Sequence, residues 1–458
     1  MGTFPTFRGP ALFFRPCSIL LIFSLVTFLV GCGSKTKPSM VLIVVDTLRA
    51  DYMGCYGYTK DTTPNLDRLA EEGVLFSRVF AASPWTGPSV SSITTGMYPD
   101  EVGVRDLRDG LTPRITTLAE RLKKAGYHTG AVVSNTLAGP TYGHDQGYDS
   151  FLCEPYKAVP KEAPYGDERL WPAFTADQVT DKALEWLKTA RKPFFLHVHY
   201  TDPHDPYIPP AAWRNKFLEN RQPLDIDLLL EENFTHADLS PEELDRLRAG
   251  YEGEIAFADH EIGRLIDQLP DHTLVAFTGD HGEEFLEHGG FLHGNSLFQE
   301  LLRIPLIFKG ADLPEGVQIL EPVSHVDITP TLVDAACIPL DPGFSGFSLL
   351  PFMRSRSQPP LSRPLFSVLE SRTDRRIAVK EGDWRFEVHP EKRSVFLYNL
   401  KLDPRELKNV AMEHTDLVKS FIDSVKNRNS RLMAAPEMKD KEVQKEREAI
   451  LRNLGYIK

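Results

Sequence analysis

The chain has 458 residues, 41% hydrophobic and 25% charged, a composition that fits one large globular domain with a smaller one beside it. Its formal net charge of −12 argues against nucleic acid as the main partner. Cys55, Cys153 and Cys337 match no zinc-ligand spacing and allow at most one disulfide.

Residues 1–32 read as a targeting segment. Arg8 and Arg15 precede an apolar run, Ile19–Val30, that is too short and too early for a membrane span. The run ends Leu29-Val30-Gly31-Cys32, which resembles the lipobox of bacterial lipoproteins. That resemblance implies export to the cell envelope, cleavage before Cys32 and acylation of Cys32, which would tether the protein to a membrane. An ordinary secretion signal or an uncleaved anchor is the alternative. Gly33–Ser39 is then a polar tether, residues 40–350 a catalytic domain, and 351–458 a C-terminal subdomain with a helical tail.

Met40–Asp51 anchors the fold. Val41 to Val45 are apolar on both faces, the mark of a central strand in a covered parallel sheet, so Asp46 sits at the strand's carboxyl end. Thr63-Pro64-Asn65-Leu66-Asp67 opens a helix that Gly73 ends, and Val74–Phe80 reads as a strand. A loop, 81–89, enters a short helix through Ser92. Ile115–Ala125 is amphipathic and helical, and Thr129–Ser134 is a strand. Residues 139–172 read as a surface excursion. Helix 173–190, strand 193–200, an acidic stretch 211–241 expected to cap the site, and helix Pro241–Leu269 follow.

Thr273–Thr278 repeats the design of the first strand and delivers Asp280 and His281. Ile304–Phe308 is a further strand and Asp327–Ala336 a further helix. After a polar, proline-bearing linker at 355–364, Leu365–Leu369, Arg376–Lys380, Trp384–Val388 and Ser394–Leu400 read as a small antiparallel sheet. The alternation before residue 350 means a large, mostly parallel α/β sheet with helices on both faces.

Val44-Val45-Asp46-Thr47-Leu48-Arg49-Ala50-Asp51, Thr63-Pro64-Asn65-Leu66-Asp67, Pro203-His204 and Gly279-Asp280-His281-Gly282 together resemble the sulfatase family of the alkaline phosphatase superfamily. Leu397-Tyr398-Asn399-Leu400 with Asp403-Pro404 resembles that family's C-terminal subdomain. The resemblance implies a hydrolase of anionic esters with one divalent cation held by Asp46, Thr86, Asp280 and His281. Oxygen-rich ligands with one imidazole suit Ca²⁺ first, then Mg²⁺ or Mn²⁺.

The family's nucleophile segment, Cys-x-Pro-x-Arg, corresponds here to Thr86-Gly87-Pro88-Ser89-Val90. Thr86 carries a methyl group on its carbinol carbon, so no formylglycine is expected and a secondary alcohol remains as nucleophile. Thr47 stands where relatives often place a second aspartate. Ser134-Asn135-Thr136 stands where sulfatases carry a lysine that grips sulfate.

His204 and His293 are the candidates for contacting the transferred group or protonating the leaving oxygen, with His288 a weaker one. His197 and His199 share one face of a strand, as a second metal site or as a structural pair. Arg49 pairs with a substrate anion or with Asp51. The expected activity is hydrolysis of sulfate or, given Thr86, preferentially of phosphate or phosphonate esters through a covalent threonine intermediate. The alternatives are a transferase that passes a phospho-substituent to a lipid or glycan, and a non-catalytic binding protein on the same scaffold.

Overall fold

The computed structural model describes residues 1–2, 37–154, 157–158, 170–171, 174–219, 221–222, 224, 239–310, 312–358, 363–370, 375–429, 443–445 and 447–449. The targeting segment with Cys32, most of the tether and much of the acidic stretch expected as a cap lie outside these residues, as does most of the helical tail. Among the described residues no helix is long and apolar enough to cross a membrane. Lys37–Lys458 forms one compact unit.

Strand β1 (Met40–Val45) is central because its side chains alternate between two apolar cores. Val41, Ile43 and Val45 enter one core, and Met40, Leu42 and Val44 enter the other. The other strands of its sheet are β2 (Val74–Phe76), β3 (His128–Val133), β4 (Ser150–Leu152), β5 (Phe194–Tyr200), β6 (Leu274–Gly279), β7 (Leu306–Lys309) and β8 (Val317–Ile319). The eight strands lie in the order β8-β2-β7-β6-β1-β5-β3-β4. β1 pairs in parallel with both β5 and β6, Val45 lying opposite Tyr200 and Gly279. β7 runs antiparallel to β6 and β2.

Helices cover both faces, as an all-buried strand requires. α1 (Pro64–Glu71), α4 (Ala176–Thr189) and α5 (Pro241–Ile266) bury Leu66, Val179 and Ile262 against the Val41 face. α2 (Thr86–Thr95), α3 (Leu118–Lys124) and α6 (Ile328–Ala335) bury Ile93, Leu122 and Leu332 against the Met40 face. α5 is long because it starts cleanly: Pro241 occupies the first turn, and Ser240 and Glu243 close a capping box.

Several boundaries differ from the sequence pattern, each for a local reason. α3 begins at Leu118 and not at Ile115, since Thr117 caps it by accepting from the Glu120 amide at 3.2 Å. The strand expected over Val74–Phe80 breaks after Phe76, and Val79–Phe80 joins a separate three-stranded sheet with Arg303–Ile304 and Val323–Ser324. Pro305, which has no N–H to donate, divides the expected strand 304–308. Ser150–Leu152, expected within a surface excursion, instead forms a sheet edge.

β9 (Leu365–Glu370), β10 (Arg375–Glu381), β11 (Trp384–His389) and β12 (Ser394–Asn399) form a consecutive antiparallel sheet. α7 (Thr415–Asn429) packs on it through stacked Phe421 and Phe386 rings 5.5 Å apart. This layer is fastened to the large sheet by charge. Asp100, fully buried after α2, accepts from Arg428 of α7 (Nη1 to Oδ2 2.5 Å) and from Arg375 of β10 at 3.0 Å. Those guanidiniums hold the Asp100 carboxyl below its ordinary value despite the opposing effect of burial.

Removing one partner of such a group strands the buried Arg428 charge. Asp100→Ala should therefore cost about 3–5 kcal/mol of stability. Chemical denaturation, followed separately by a probe in each layer, checks this.

Candidate active site

Parallel in-register pairing brings the key groups to one sheet edge. The Asp46 amide donates to the Tyr200 carbonyl at 2.9 Å, and the Asp280 amide donates to the Val45 carbonyl at 3.1 Å. Two carboxylates thus leave neighbouring strands at the same level. β3 ends in register with His199, which sends Ser134 and Asn135 to the same edge. Thr86 arrives from outside the sheet as the first residue of α2, where first-turn N–H groups lack intrahelical partners.

The groups converge. Thr86 Oγ1 lies 3.4 Å from His281 Nε2, which is 3.4 Å from Asp46 Oδ1 and 3.5 Å from Asp280 Oδ2. His281 Nδ1 sits 3.0 Å from the Gly282 carbonyl. Donating its proton there leaves the Nε2 lone pair facing the carboxylates. Asp280 Oδ1 accepts from the amides of His281 at 2.7 Å and Thr47 at 3.1 Å. Thr47 reaches this position with φ of 52°, a left-handed conformation unusual for a β-branched residue.

The electrostatics of the cluster are unfavourable as it stands. Burial raises the Asp46 carboxyl, and burial together with the Asp46 charge raises Asp280 well above its ordinary value. Burial, reinforced by His293, holds His281 well below the usual histidine range and hence neutral. Asp46 Oδ1 and Asp280 Oδ2 are buried with no hydrogen-bond partner among the described residues. Two orphaned anionic oxygens and an imidazole lone pair facing one another fit a divalent cation.

His204 and His293 stand beside this cluster. Their rings are 4.9 Å apart, and His293 lies 4.6 Å from His281. His204 Nδ1 is 3.0 Å from Asp205 Oδ1. Burial opposes the charged form of His204, but Asp205 overcomes it and lifts His204 well above the usual histidine range. His293 Nδ1 meets Glu283 Oε1 at 3.1 Å, which leaves its Nε2 for other partners.

The sulfatase family profile matches residues 38–338. The chain belongs to the sulfatase family. It is 28% identical to the choline-sulfatase of Rhizobium meliloti (strain 1021) over 434 residues, covering 82% of each chain. It is 26% identical to the arylsulfatase K of Gallus gallus over 444 residues, or 84% of this chain and 81% of that one. The phosphonate monoester hydrolase of Agrobacterium radiobacter shares the fold with a TM-score of 0.73 at 23% identity, covering 86% of this chain and 96% of that one. An enzyme solved with its substrate, D-glucosamine-2-N,6-O-disulfate, gives a TM-score of 0.73 at 20% identity and covers 86% and 98%. This sulfatase-family chain is accordingly a hydrolase of sulfuric or phosphoric esters.

Within the family frame, the basic residues of the usual pattern are replaced by uncharged ones. Val90 is fully buried in a small apolar cluster with Ala131, Val133 and Ala138. Asn135, at the lysine position, donates to Asp46 Oδ2 at 2.5 Å and to Thr86 Oγ1 at 3.5 Å. Sequence reasoning saw only a missing lysine at Asn135; the usable signal was its position just past a strand that ends at the catalytic edge. His325 was also missed. It accepts from the Ala82 amide at 3.2 Å and contacts the Gly279 carbonyl at 2.9 Å, tying the loop before Thr86 to the strand that delivers Asp280.

Other candidates lie elsewhere. Arg49 is engaged by Asp51, Glu287 and the Glu283 carbonyl. His288 bonds Glu300 at 2.5 Å and stacks on Phe298, clear of the Asp46 cluster. His199 approaches Asp280 at 4.0 Å, whereas His197 meets the Tyr148 hydroxyl at 3.2 Å. The pair therefore does not form one metal-binding group among the described residues.

Asn135→Ala removes the donor shared by Asp46 and Thr86. Turnover and divalent-cation affinity should each fall about 10- to 100-fold, as measured by steady-state kinetics and calorimetric cation titration.

Proposed function

We propose that this sulfatase-family hydrolase cleaves phosphate or phosphonate esters in preference to sulfate esters, with Thr86 as nucleophile. The observation that carries the reading is the placement of Thr86 Oγ1, 3.4 Å from His281 Nε2 and at the start of α2. Asp46, Asp280, His281 and Thr86 would hold a divalent cation, Ca²⁺ first among the candidates, which when bound supplies Lewis acidity toward the alcohol and the ester anion.

The chain's own groups would do the rest. Thr86 enters as the alkoxide, its hydroxyl proton lost to solvent beforehand, and Oγ1 attacks phosphorus in line; the bond to the leaving oxygen breaks as His204 gives that oxygen its proton. Asn135 donates a hydrogen bond to Thr86 Oγ1 and orients it. The free N–H groups of the first turn of α2 favour the anionic centre. Water then attacks the threonine ester, releases Thr86, and returns a proton to His204. A secondary alcohol with no basic neighbour at positions 90 or 135 supports phosphorus over sulfur, since the familiar sulfate-gripping cations are absent.

Chromogenic sulfate, phosphate monoester, phosphate diester and phosphonate substrates, assayed with added Ca²⁺, Mg²⁺ or Mn²⁺, test this. Turnover should be highest for a phosphorus ester and fall at least about 1000-fold in Thr86→Ala. Equal turnover by wild type and Thr86→Ala removes Thr86 from the mechanism. An acceptor alcohol that accelerates product formation marks a transferase instead.

The proton donor gives a pH signature. His204 holds its proton up to a raised native value, so activity should fall as pH rises through it. Asp205→Asn removes the stabilising anion and should move the alkaline limb of kcat/KM to lower pH.

We further propose export and lipid anchoring at Cys32. Labelled palmitate should enter the wild-type protein and be lost in Cys32→Ser, with the variant recovered from the soluble fraction.

A further inference from the structure

The loop carrying His204 and Asp205 rests on α5, and α5 is shaped to receive it. A side chain at Gly250 would come within 2.6 Å of the Tyr207 carbonyl oxygen, and one at Gly253 within 2.6 Å of Pro209 Cγ. Two glycines three residues apart thus make a smooth seat on one helix face. The next residue, Glu254, is nearly fully buried and lies against both ends of the loop: the Asp202 side chain before His204, and the Ile208 backbone after it.

The contact between Glu254 and Asp202 joins two carboxyl groups. Asp202 Oδ2 and Glu254 Oε2 are both buried and neither finds a donor. Two ionised carboxylates would repel here without water to screen them, whereas one proton between them satisfies both oxygens. The titratable groups that face the pair are Asp177 at the start of α4 and Tyr200 at the end of β5; Arg264 of α5 reaches both, donating to the Asp177 carbonyl at 3.3 Å, and is paired with Glu261 and Asp181.

We propose that Glu254 and Asp202 share one proton and that this carboxyl–carboxylate contact is the clamp holding the His204–Asp205 loop in place over Thr86. Glu254 and Asp202 are then positioning residues, acting through His204. The inference rests on the reading of His204 as proton donor to the leaving group. Burial and the Asp202 charge raise Glu254 well above its ordinary value, and burial lifts Asp202 to about 6 against the lowering effect of Glu254, which agrees with one proton retained on Glu254.

The test uses the full chain with Glu254→Gln and Glu254→Ala. A glutamine amide can donate to the Asp202 carboxylate as the shared proton does; alanine cannot. In infrared difference spectra at neutral pH, wild type minus Glu254→Gln should show a protonated-carboxyl band. A loosened loop misplaces the proton donor, so Glu254→Ala should lose about 100-fold in kcat on alkyl esters, whose leaving groups need the proton. It should lose far less on nitrophenyl esters, whose leaving groups do not. Glu254→Gln should restore both ratios to within about threefold of wild type.

The stability profile adds a second readout. A proton held in the native state and released on unfolding stabilises most below the ordinary glutamate range, and this is lost as pH rises through the native value. Glu254→Gln should abolish that slope. The proposal is overturned by absence of the carboxyl band, by an alkyl-to-nitrophenyl ratio unchanged in Glu254→Ala, or by a glutamine variant as impaired as the alanine one. The infrared and stability measurements do not depend on turnover. They decide the shared proton even if Thr86→Ala proves active and the hydrolytic reading fails.

Discussion

Asp46 and Asp280 impose the central constraint on this molecule. Each ends a strand, the strands are neighbours, and the parallel register brings both carboxylates to one level at the sheet edge. Burying two like charges side by side is costly, by several kcal/mol per ion even after relaxation. The protein offsets part of the cost with the amides of Thr47 and His281 on one carboxylate and Asn135 on the other. The remaining oxygens face a neutral imidazole lone pair. Such an arrangement makes physical sense as a cage for a dication.

The rest of the site is organised around that cage in two shells of support. Thr86 enters from α2, whose preceding loop is tied through His325 to the strand that bears Asp280. The opposite wall comes from the loop after β5, seated on the two glycines of α5, with buried Glu254 behind it. The loop carrying Thr47 is fixed by Tyr251 of the same helix, whose hydroxyl donates to the Thr47 carbonyl at 2.6 Å. One long helix therefore positions two of the site's walls, which is the physical reason a 26-residue helix belongs here.

Replacement of basic groups by Asn135 and Val90 alters what the pocket can stabilise. A lysine or arginine brings full positive charge to an anion, while an amide brings only a donor. Asn135 instead points inward, bonded to Asp46 and Thr86. His204, charged through Asp205, stands beside His293, which in turn neighbours His281. In the proposed reaction, that charge has the task of protonating a leaving group.

The primary structure carried the family, the sheet and the strand-end residues, because β1 and β6 are apolar on both faces and end in acids. Such runs have one stable home, a covered parallel sheet, whose carboxyl edge must then hold Asp46, Asp280 and His281. It also placed an alcohol, Thr86, where the family resemblance puts the nucleophile. The sequence could not show what depends on residues far apart in the chain coming into contact. Asn135 bonding Thr86, His325 bridging two loops, and Glu254 meeting Asp202 span 49, 46 and 52 positions respectively, and no local periodicity encodes them. Arg49 and His288 show the converse: the sequence left Arg49 between a substrate anion and Asp51 and offered His288 as a weaker candidate, and the fold gives Arg49 to Asp51 and Glu287 and His288 to Glu300. Pattern determines which face a residue takes, but only packing decides which polar atoms are left unsatisfied, and chemistry is done by those.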